Sequence, residues 1–145
     1  MYRDQLDNLK RFYSTYSESD LNLLAQIYDS EIVFKDVVHK IEGYDALYRY
    51  FEHGRSGLKS CRFDFNSELV SGHTAVLEWT MAFEHPRLKK GVISVDGCSI
   101  LVFSEVTKLV KSHTDYFDAG AMIYENVPVV GAAVRFIKQR LSGEV

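Results

Sequence analysis

The second half of the chain contains four long segments in which apolar and polar residues alternate, and this period of two constrains the fold more than any other feature. The segments read CRFDFNSEL, TAVLEWTMAF, GVISVDGCSILVF and KLVKSHTDYF. Such alternation is typical of strands with one buried face, and the short turns between the segments predict an antiparallel meander. Helical spacing dominates the first half instead, so helices are the elements available to cover the buried face of the sheet.

Three helices are predicted before the strands and one after them. The apolar positions that indicate the first three are Leu6, Leu9, Tyr13 and Tyr16, then Leu21, Leu24 and Ile27, then Tyr44, Leu47, Tyr48 and Phe51. The sequence EIVF predicts a short strand before the third helix, and Pro128 opens the last helix. The apolar stripe of that last helix, which includes Ile137 and Leu141, favours docking on the sheet.

These elements predict an α+β fold with one domain over residues 1–145. A curved antiparallel sheet that wraps around the N-terminal helices, with a C-terminal helix added, would enclose a cone. The interior of such a cone is a natural site for a small hydrophobic molecule.

Composition excludes several other functions. The net charge of −3 and a pI near 5.9 leave no basic surface for nucleic acid, and no apolar run is long enough to span a membrane. Neither metal-ligand spacing nor a glycine-rich phosphate loop is present, so we expect no metal and no cofactor. A charged N-terminus and two isolated cysteines, Cys61 and Cys98, lead us to expect a cytoplasmic protein with reduced thiols.

The order of elements, together with the segment HTDYFDAGAMIYE, resembles the SnoaL-like branch of the nuclear-transport-factor-2-like superfamily. Ketosteroid isomerases, polyketide cyclases and limonene-epoxide hydrolases are relatives in that superfamily. The resemblance covers nearly the whole chain and implies the cone fold. It does not imply one function, because this cone also serves ligand binders and assembly modules.

Two catalytic positions follow from the resemblance. The segment YDSEIVFKD resembles the one that ends with the general-base aspartate of ketosteroid isomerases, which corresponds to Asp36. The run DYFD resembles the strand on which limonene-epoxide hydrolases carry a catalytic carboxylate, which corresponds to Asp115.

The chain also departs from these relatives. Trp79 and Met81 stand where epoxide hydrolases keep an Arg-x-Asp pair, which argues against epoxide hydrolysis. The water-binding Tyr-x-Asn of those enzymes corresponds to Phe34-Lys35-Asp36. The isomerases of this fold use a tyrosine and a protonated aspartic acid as an oxyanion hole. The tyrosine position corresponds here to Phe12, with Tyr13 adjacent, and the acid position falls near Cys98 or Ser99.

The residue pattern supports a pocket role for the same carboxylates. Burial at an apolar cavity mouth would raise the pKa of Asp36, as a general base requires, although Asp36 solvated or in a turn is the alternative. His113 and Asp115 share a strand face with Phe117, so they reach the cavity together if Phe117 does. With the opposite orientation they would lie on the outer face or in a dimer interface. Asp118 is interpreted as the N-cap of a short helical turn.

The remaining predictions concern the cavity wall. The residues expected to bind substrate are Tyr13, Tyr16, Phe34, Trp79, Met81, Phe83 and Met122, and Tyr124 is a further candidate for closing one end. Four histidines, His39, His53, His73 and His85, fall in predicted turns or helix ends, where we expect them to be exposed.

Two functional hypotheses remain open. The first is a cofactor-free isomerase, cyclase or related acid–base enzyme acting on a hydrophobic carbonyl, polyketide-like, terpenoid or lipid-like compound, in which Asp36 or Asp115 moves a proton and His113 assists. The second is a non-catalytic ligand-binding or dimeric accessory module. For either, the resemblance implies a homodimer formed through the outer sheet face, to which Glu78, Thr80 and Tyr116 can contribute.

Overall fold

The computed structural model describes residues 1–88, 91–122 and 128–143, with side chains for all of these except residues 121, 122, 128–132 and 134. Helix α1 (Arg3–Ser14) and two 3₁₀ turns (Tyr16–Glu18 and Leu21–Gln26) come first, followed by strands β1 (Tyr28–Lys35) and β2 (Lys40–Glu42) and helix α2 (Tyr44–Arg55). The long strands are β3 (Ser60–Ser71), β4 (Thr74–Glu84), β5 (Ile93–Phe103) and β6 (Val110–Phe117). Helices α3 (Ala119–Met122) and α4 (Pro128–Ser142) follow.

The strands form one six-stranded sheet in the order β2–β1–β6–β5–β4–β3. Strands β3 to β6 pair antiparallel in sequence order, which confirms the predicted meander. Strands β1 and β6 pair parallel, and the short strand β2, which was not predicted, pairs antiparallel with β1. A parallel pair needs a long connection, which α2 and β3 to β5 supply here.

Curvature of the sheet follows partly from an extra residue in β3. Phe65 pairs with Trp79 and Ser67 pairs with Glu78, which leaves Asn66 as the bulged residue. A bulge bends its strand and increases the local twist. The result is the mixed α+β fold with a curved open sheet that the alternating pattern predicted.

The helices cover the concave face of this sheet with their apolar sides. Leu6, Leu9 and Phe12 on α1 and Leu47 on α2 are at most 1% exposed. Burial of each such side chain stabilises the fold by roughly 1.5–3 kcal/mol. The helical spacing of these residues is therefore what fixes α1 and α2 against the sheet and leaves a cavity between them.

The predicted second helix is a 3₁₀ turn rather than an α-helix. Its apolar residues Leu21, Leu24 and Ile27 are buried as expected. Asp20 caps the turn, since its carboxylate accepts the backbone N–H of Asn22 at 2.9 Å. The six-residue turn is followed, after Ile27, by β1.

Helix α4 differs from its prediction. The side chains of Ile137 and Leu141 are 56% and 83% exposed, so docking of this part of the stripe on the sheet was wrong. Lys138 instead pairs with Asp118 at 2.8 Å, just beyond the end of β6. Over the described residues, none of the helices combines the length and the apolar character needed to cross a bilayer.

Candidate functional site

A cavity of about 690 Å³ lies between the helices and the concave face of the sheet. Its wall is mostly aromatic and aliphatic, and the buried side chains Phe34, Trp79 and Phe83 lie in it. The other described residues that line it are Tyr13, Tyr16, Asp36, Val38, His39, Tyr50, Phe51, His53, Gly54, Leu58, Cys61, Phe63, Met81, His85, Leu88, Asp115 and Phe117. A cavity of this size and character suits a small hydrophobic molecule.

The inward face of β6 carries His113 and Asp115, the pair that the alternation of side chains along this strand predicted. Asp115 and Phe117 line the cavity, His113 is 1% exposed beneath it, and Tyr116 on the opposite face is 55% exposed. His113 Nε2 lies 2.7 Å from Asp115 Oδ1. The imidazole and the carboxylate therefore form one hydrogen-bonded unit on the cavity side of the sheet.

Two further residues hold Asp115 from the neighbouring strands. Ser99 on β5 donates its hydroxyl to the same Asp115 Oδ1, and Trp79 Nε1–H on β4 donates to Ser99 Oγ at 2.8 Å. Ser99 pairs directly with Asp115 and Trp79 with Gly97, so the sheet register brings the three side chains together.

Two tyrosines continue the chain of hydrogen bonds on the other side of His113. Tyr28 Oη lies 2.7 Å from His113 Nδ1, and Tyr13 Oη lies 2.7 Å from Tyr28 Oη. With Asp115 ionised and His113 neutral, we assign the imidazole proton to Nε2, so that Tyr13 donates to Tyr28 and Tyr28 donates to Nδ1. In that state Tyr13, Tyr28 and His113 each donate in the direction of Asp115.

The two carboxylate oxygens of Asp115 are bonded differently. Both hydrogen bonds fall on Oδ1, and within the described residues nothing bonds to Oδ2. No buried side-chain oxygen in that part of the structure lacks a partner, so Oδ2 must be accessible. Asp115 therefore presents one fixed oxygen to the network and one open oxygen to the cavity.

Burial keeps the phenols of this network neutral. It is the main cause that raises the pKa of Tyr13 and of Tyr28 well above the ordinary value, and the nearby Asp115 carboxylate raises both further. Each phenol thus remains a hydrogen-bond donor across the physiological pH range.

Asp36 also lines the cavity, and both of its carboxylate oxygens accept hydrogen bonds. Its Oδ1 accepts the backbone N–H groups of Val38 and His39 at 2.8 and 2.6 Å, and its Oδ2 accepts the hydroxyl of Tyr50 at 2.6 Å. Burial, the largest single influence, raises the pKa of Asp36, but these hydrogen bonds together outweigh it and the pKa is lowered. The expected upward shift was therefore wrong, because the hydrogen bonds stabilise the ionised form.

Replacement of Tyr50 with phenylalanine should lower stability at neutral pH by about 1.5–3 kcal/mol, the usual contribution of a hydrogen bond to a charged group. A lowered pKa contributes stability above the unfolded pKa that is lost as pH falls through the folded pKa. The difference from wild type should therefore close as pH falls through the lowered pKa of Asp36.

Urea unfolding at neutral and acid pH measures this effect. Tyr44→Phe on the same helix is the control, since no hydrogen bond of the Tyr44 hydroxyl occurs within the described residues. A Tyr50→Phe variant that is equally destabilised at both pH values would contradict the assignment.

The predicted wall residues have different roles in the structure. All of them that are described line the cavity, namely Tyr13, Tyr16, Phe34, Trp79, Met81 and Phe83. The Tyr16 hydroxyl donates to the Phe51 carbonyl oxygen at 2.8 Å. This hydrogen bond connects the first 3₁₀ turn to α2. Met122 lies in α3, but its side chain and Tyr124 fall outside what the structure describes.

Three contributors to the site, namely Tyr28, Tyr50 and Ser99, were not among the residues assigned to it from the sequence, although Ser99 had been named near the position of the oxyanion-hole acid. Tyr28 is 85 residues from its partner His113, and only the parallel pairing of β1 with β6 brings them together. Ser99 faces inward by the alternation of β5, a signal that the sequence contains, whereas its two partners depend on the register of three strands. The described residues hold no cluster of three or more His, Cys, Asp or Glu side chains suited to a metal ion.

The curved six-stranded sheet, the helices on its concave face and the cavity between them define the class of fold. The SnoaL-like domain profile matches residues 9–111, and the chain belongs to the SnoaL-like family. No curated protein sequence matches the chain significantly.

Solved structures share the nuclear-transport-factor-2-like fold. A candidate SnoaL-like polyketide cyclase from Shewanella denitrificans is 17% identical, with a TM-score of 0.71 over 83% of this chain and 93% of its own. A Catenulispora acidiphila protein with a ketosteroid isomerase-like fold, in complex with trimethylamine, is 9% identical, with a TM-score of 0.70 over 82% and 90%. A Burkholderia pseudomallei protein of unknown function is 13% identical, with a TM-score of 0.71 over 83% and 95%.

Proposed function

We propose that this protein is a cofactor-free acid–base enzyme that acts on a hydrophobic carbonyl compound, with Asp115 as the general base. The observation that carries the proposal is the geometry of Asp115, whose Oδ1 is held by His113 and Ser99 while Oδ2 is open to the cavity. A carboxylate held in this way can take a proton from a ligand without reorganising.

The reaction begins with removal of a proton from the carbon next to a ligand carbonyl. Asp115 Oδ2 takes the proton, the carbon–hydrogen electron pair moves into the ligand, and an enolate and a neutral carboxyl group form. Return of the proton to a conjugated carbon gives an isomer. Attack of the enolate carbon on a second carbonyl of the same ligand instead gives a cyclised alkoxide, which takes the proton back from the Asp115 carboxyl group.

Tyr13 is the donor that we propose for the carbonyl oxygen. To donate there, its hydroxyl must accept from Tyr28, and Tyr28 must then accept Nδ1–H of His113. Both ring nitrogens of His113 carry protons in that state, so the imidazolium sits beside the Asp115 carboxylate. His113 thereby links the base to the donor, and the neutral phenols favour this role because burial raises their pKa.

The substrate class follows from the wall of the cavity. Phe34, Phe63, Trp79, Met81 and Phe83 offer apolar contact and few hydrogen bonds, so most of the binding energy comes from burial of the ligand body. The name of the Shewanella denitrificans neighbour as a candidate polyketide cyclase supports a carbonyl-rich, polyketide-like compound as the first class to test.

Hydrogen–deuterium exchange tests the proposal without knowledge of the natural substrate. Bicyclic ketones such as tetralones and decalones are incubated with the protein in D₂O, and loss of the α-proton signal is followed by NMR. Trp79 is the sole tryptophan and lies in the wall, so its fluorescence reports binding independently. We expect exchange above the buffer rate for ketones that bind, and binding without any exchange across the panel would refute the enzymatic role.

Replacement of Ser99 with alanine should slow exchange by roughly ten-fold and destabilise the fold by about 1–3 kcal/mol. The variant removes one of the two bonds that orient Asp115 and leaves the buried Trp79 N–H without its acceptor. Exchange rates and urea unfolding measure the two effects. Ser94→Ala, at an exposed position of the same strand, should change neither, and an unaffected exchange rate in Ser99→Ala would contradict the orienting role.

The alternative is a non-catalytic ligand-binding module. It is favoured by one observation, which is that Asp36, the position of the isomerase base, has both oxygens bonded. For this alternative, Trp79 fluorescence should respond to the ketones while no exchange occurs.

We further propose that the protein forms a homodimer through the convex face of the sheet. Glu78 and Tyr116 are exposed on that face, and Asn66, Thr80 and Asp96 form a hydrogen-bonded row across three of its strands. Analytical ultracentrifugation of wild type and Tyr116→Lys tests this proposal. We expect a dimer that the charged residue weakens, and a wild-type monomer at all concentrations would contradict it.

A further inference from the structure

Three of the five histidines line the cavity, and their side chains are more exposed than the buried part of its aromatic wall. The His39 side chain is 51% exposed, His53 is exposed and His85 is half-buried, whereas Trp79 and Phe34 are at most 3% exposed. Among the described residues of the wall there is no lysine or arginine. These imidazoles, hereafter the rim histidines (His39, His53 and His85), are therefore the groups there that can supply positive charge.

His39 is held in place by its neighbours. Its Nδ1 lies 3.2 and 3.3 Å from the two oxygens of Asp36, and its ring meets the Tyr50 ring edge-on at 5.1 Å. With Nδ1 directed at the carboxylate, Nε2 is the nitrogen left for a ligand. Protonation converts Nε2 from an acceptor into a charged donor.

His85 is oriented differently. Its Nδ1 accepts the backbone N–H of Arg87 at 3.1 Å, so the proton of the neutral ring resides on Nε2. His85 Nε2 thus offers a donor that does not depend on pH, and it lies close to Gly57. His53, near the end of α2, has no side-chain partner within the described residues, which leaves it free to respond to a ligand.

We propose that the rim histidines bind the anionic end of an amphipathic ligand, such as a carboxylate, whose apolar body occupies the cavity. This assignment rests on the proposed use of the cavity as a ligand site, and it deepens that function by defining the substrate class as hydrophobic carbonyl acids. The anion lies beside these exposed imidazoles, and the apolar body lies against the buried aromatic wall.

The charges around the rim set the expected pH dependence. Asp36 faces His39 and stays ionised because hydrogen bonds lower its pKa, so it opposes an anion whenever His39 is neutral. Protonation of His39 cancels that charge, and protonation of His53 adds a positive one. Tyr50 from α2 meets the His39 ring, and the backbone N–H of Arg87 donates to His85. Since an imidazole gains a positive charge on acidification, anion affinity should rise as pH falls.

A matched pair of probes tests this inference, namely 6-phenylhexanoate and 6-phenylhexanamide. Affinities are measured by calorimetry and Trp79 fluorescence at about pH 6 and about pH 8. We expect the preference for the carboxylate over the amide to be roughly ten-fold greater at the lower pH, and largely lost in His39→Gln and His53→Gln. His73→Gln is the matched control, because His73 contacts Tyr2 and Glu105 instead of the cavity.

The outcomes separate this inference from the proposed function. A carboxylate preference that does not change with pH, that persists in both rim variants, or that is lost equally in His73→Gln would overturn it, as would failure of both probes to bind. A preference that behaves as expected while no ketone exchanges would support the rim site and refute the enzymatic role. Asp115→Asn should keep the preference, because the base is not part of the rim.

Discussion

Replacement of Asp115 with asparagine should reduce ketone exchange by roughly 10²–10⁴-fold, the usual contribution of a positioned general base. The amide has nearly the same shape as the carboxylate, and its oxygen can still accept from Ser99 and His113. It cannot take a proton from carbon at neutral pH. Exchange should therefore be lost while the Trp79 fluorescence response to the ketone persists.

Asp96→Asn is the matched control for this experiment. Asp96 lies on the opposite face of the sheet, where it accepts the Thr80 hydroxyl at 2.7 Å, and its replacement removes the same unit of charge. Exchange in that variant should equal the wild-type rate. If Asp115→Asn retains exchange within about three-fold of wild type, a difference of less than 1 kcal/mol in the barrier, Asp115 is not the base.

Replacement of Gly97 with alanine should lower the free energy of unfolding by roughly 3 kcal/mol and the melting temperature by about 10 °C. The Trp79 ring crosses directly over Gly97, so a Cβ there would lie 2.8 Å from Trp79 Cζ2 and 2.7 Å from the Tyr116 carbonyl oxygen. The backbone oxygen cannot move away without disturbing the β5–β6 pairing. The indole must therefore shift, and its hydrogen bond to Ser99 is lost.

A double-mutant cycle with Trp79→Phe identifies the clash as the cause. Phenylalanine at position 79 relieves the contact with the larger indole ring but not the contact with the Tyr116 carbonyl. Gly97→Ala should therefore lower the free energy of unfolding less in the Trp79→Phe background than in wild type. Chemical unfolding measures the four stabilities. Equal costs in both backgrounds, or a loss below about 1 kcal/mol in the single variant, would show that the ring does not require glycine.

Most of the fold was predictable because it follows from local periodicity. Alternation in the four long segments identified the meander, and helical spacing of residues such as Leu6, Leu9 and Leu47 identified the helices that cover it. The parallel pair of β1 and β6 was not predictable in this way, because pairing direction depends on where the chain returns after the intervening strands. The exposed stripe of α4 shows the same limit, since amphipathic spacing does not say what an apolar face contacts.

The candidate site, like the fold, was predictable only in the features that depend on local sequence. The sequence by itself determined which side chains share a strand face, and it therefore placed His113 beside Asp115 and Trp79 beside Met81, because side-chain direction in a strand alternates residue by residue. Only the tertiary structure decided which oxygens are bonded. Both carboxylate oxygens of Asp36 accept hydrogen bonds, whereas one oxygen of Asp115 accepts none from the described residues. Tyr28 and Ser99 are hydrogen-bonded to His113 and Asp115. Hydrogen bonds and burial set the chemistry of a carboxylate, and both depend on residues that are distant in the chain and adjacent only after folding.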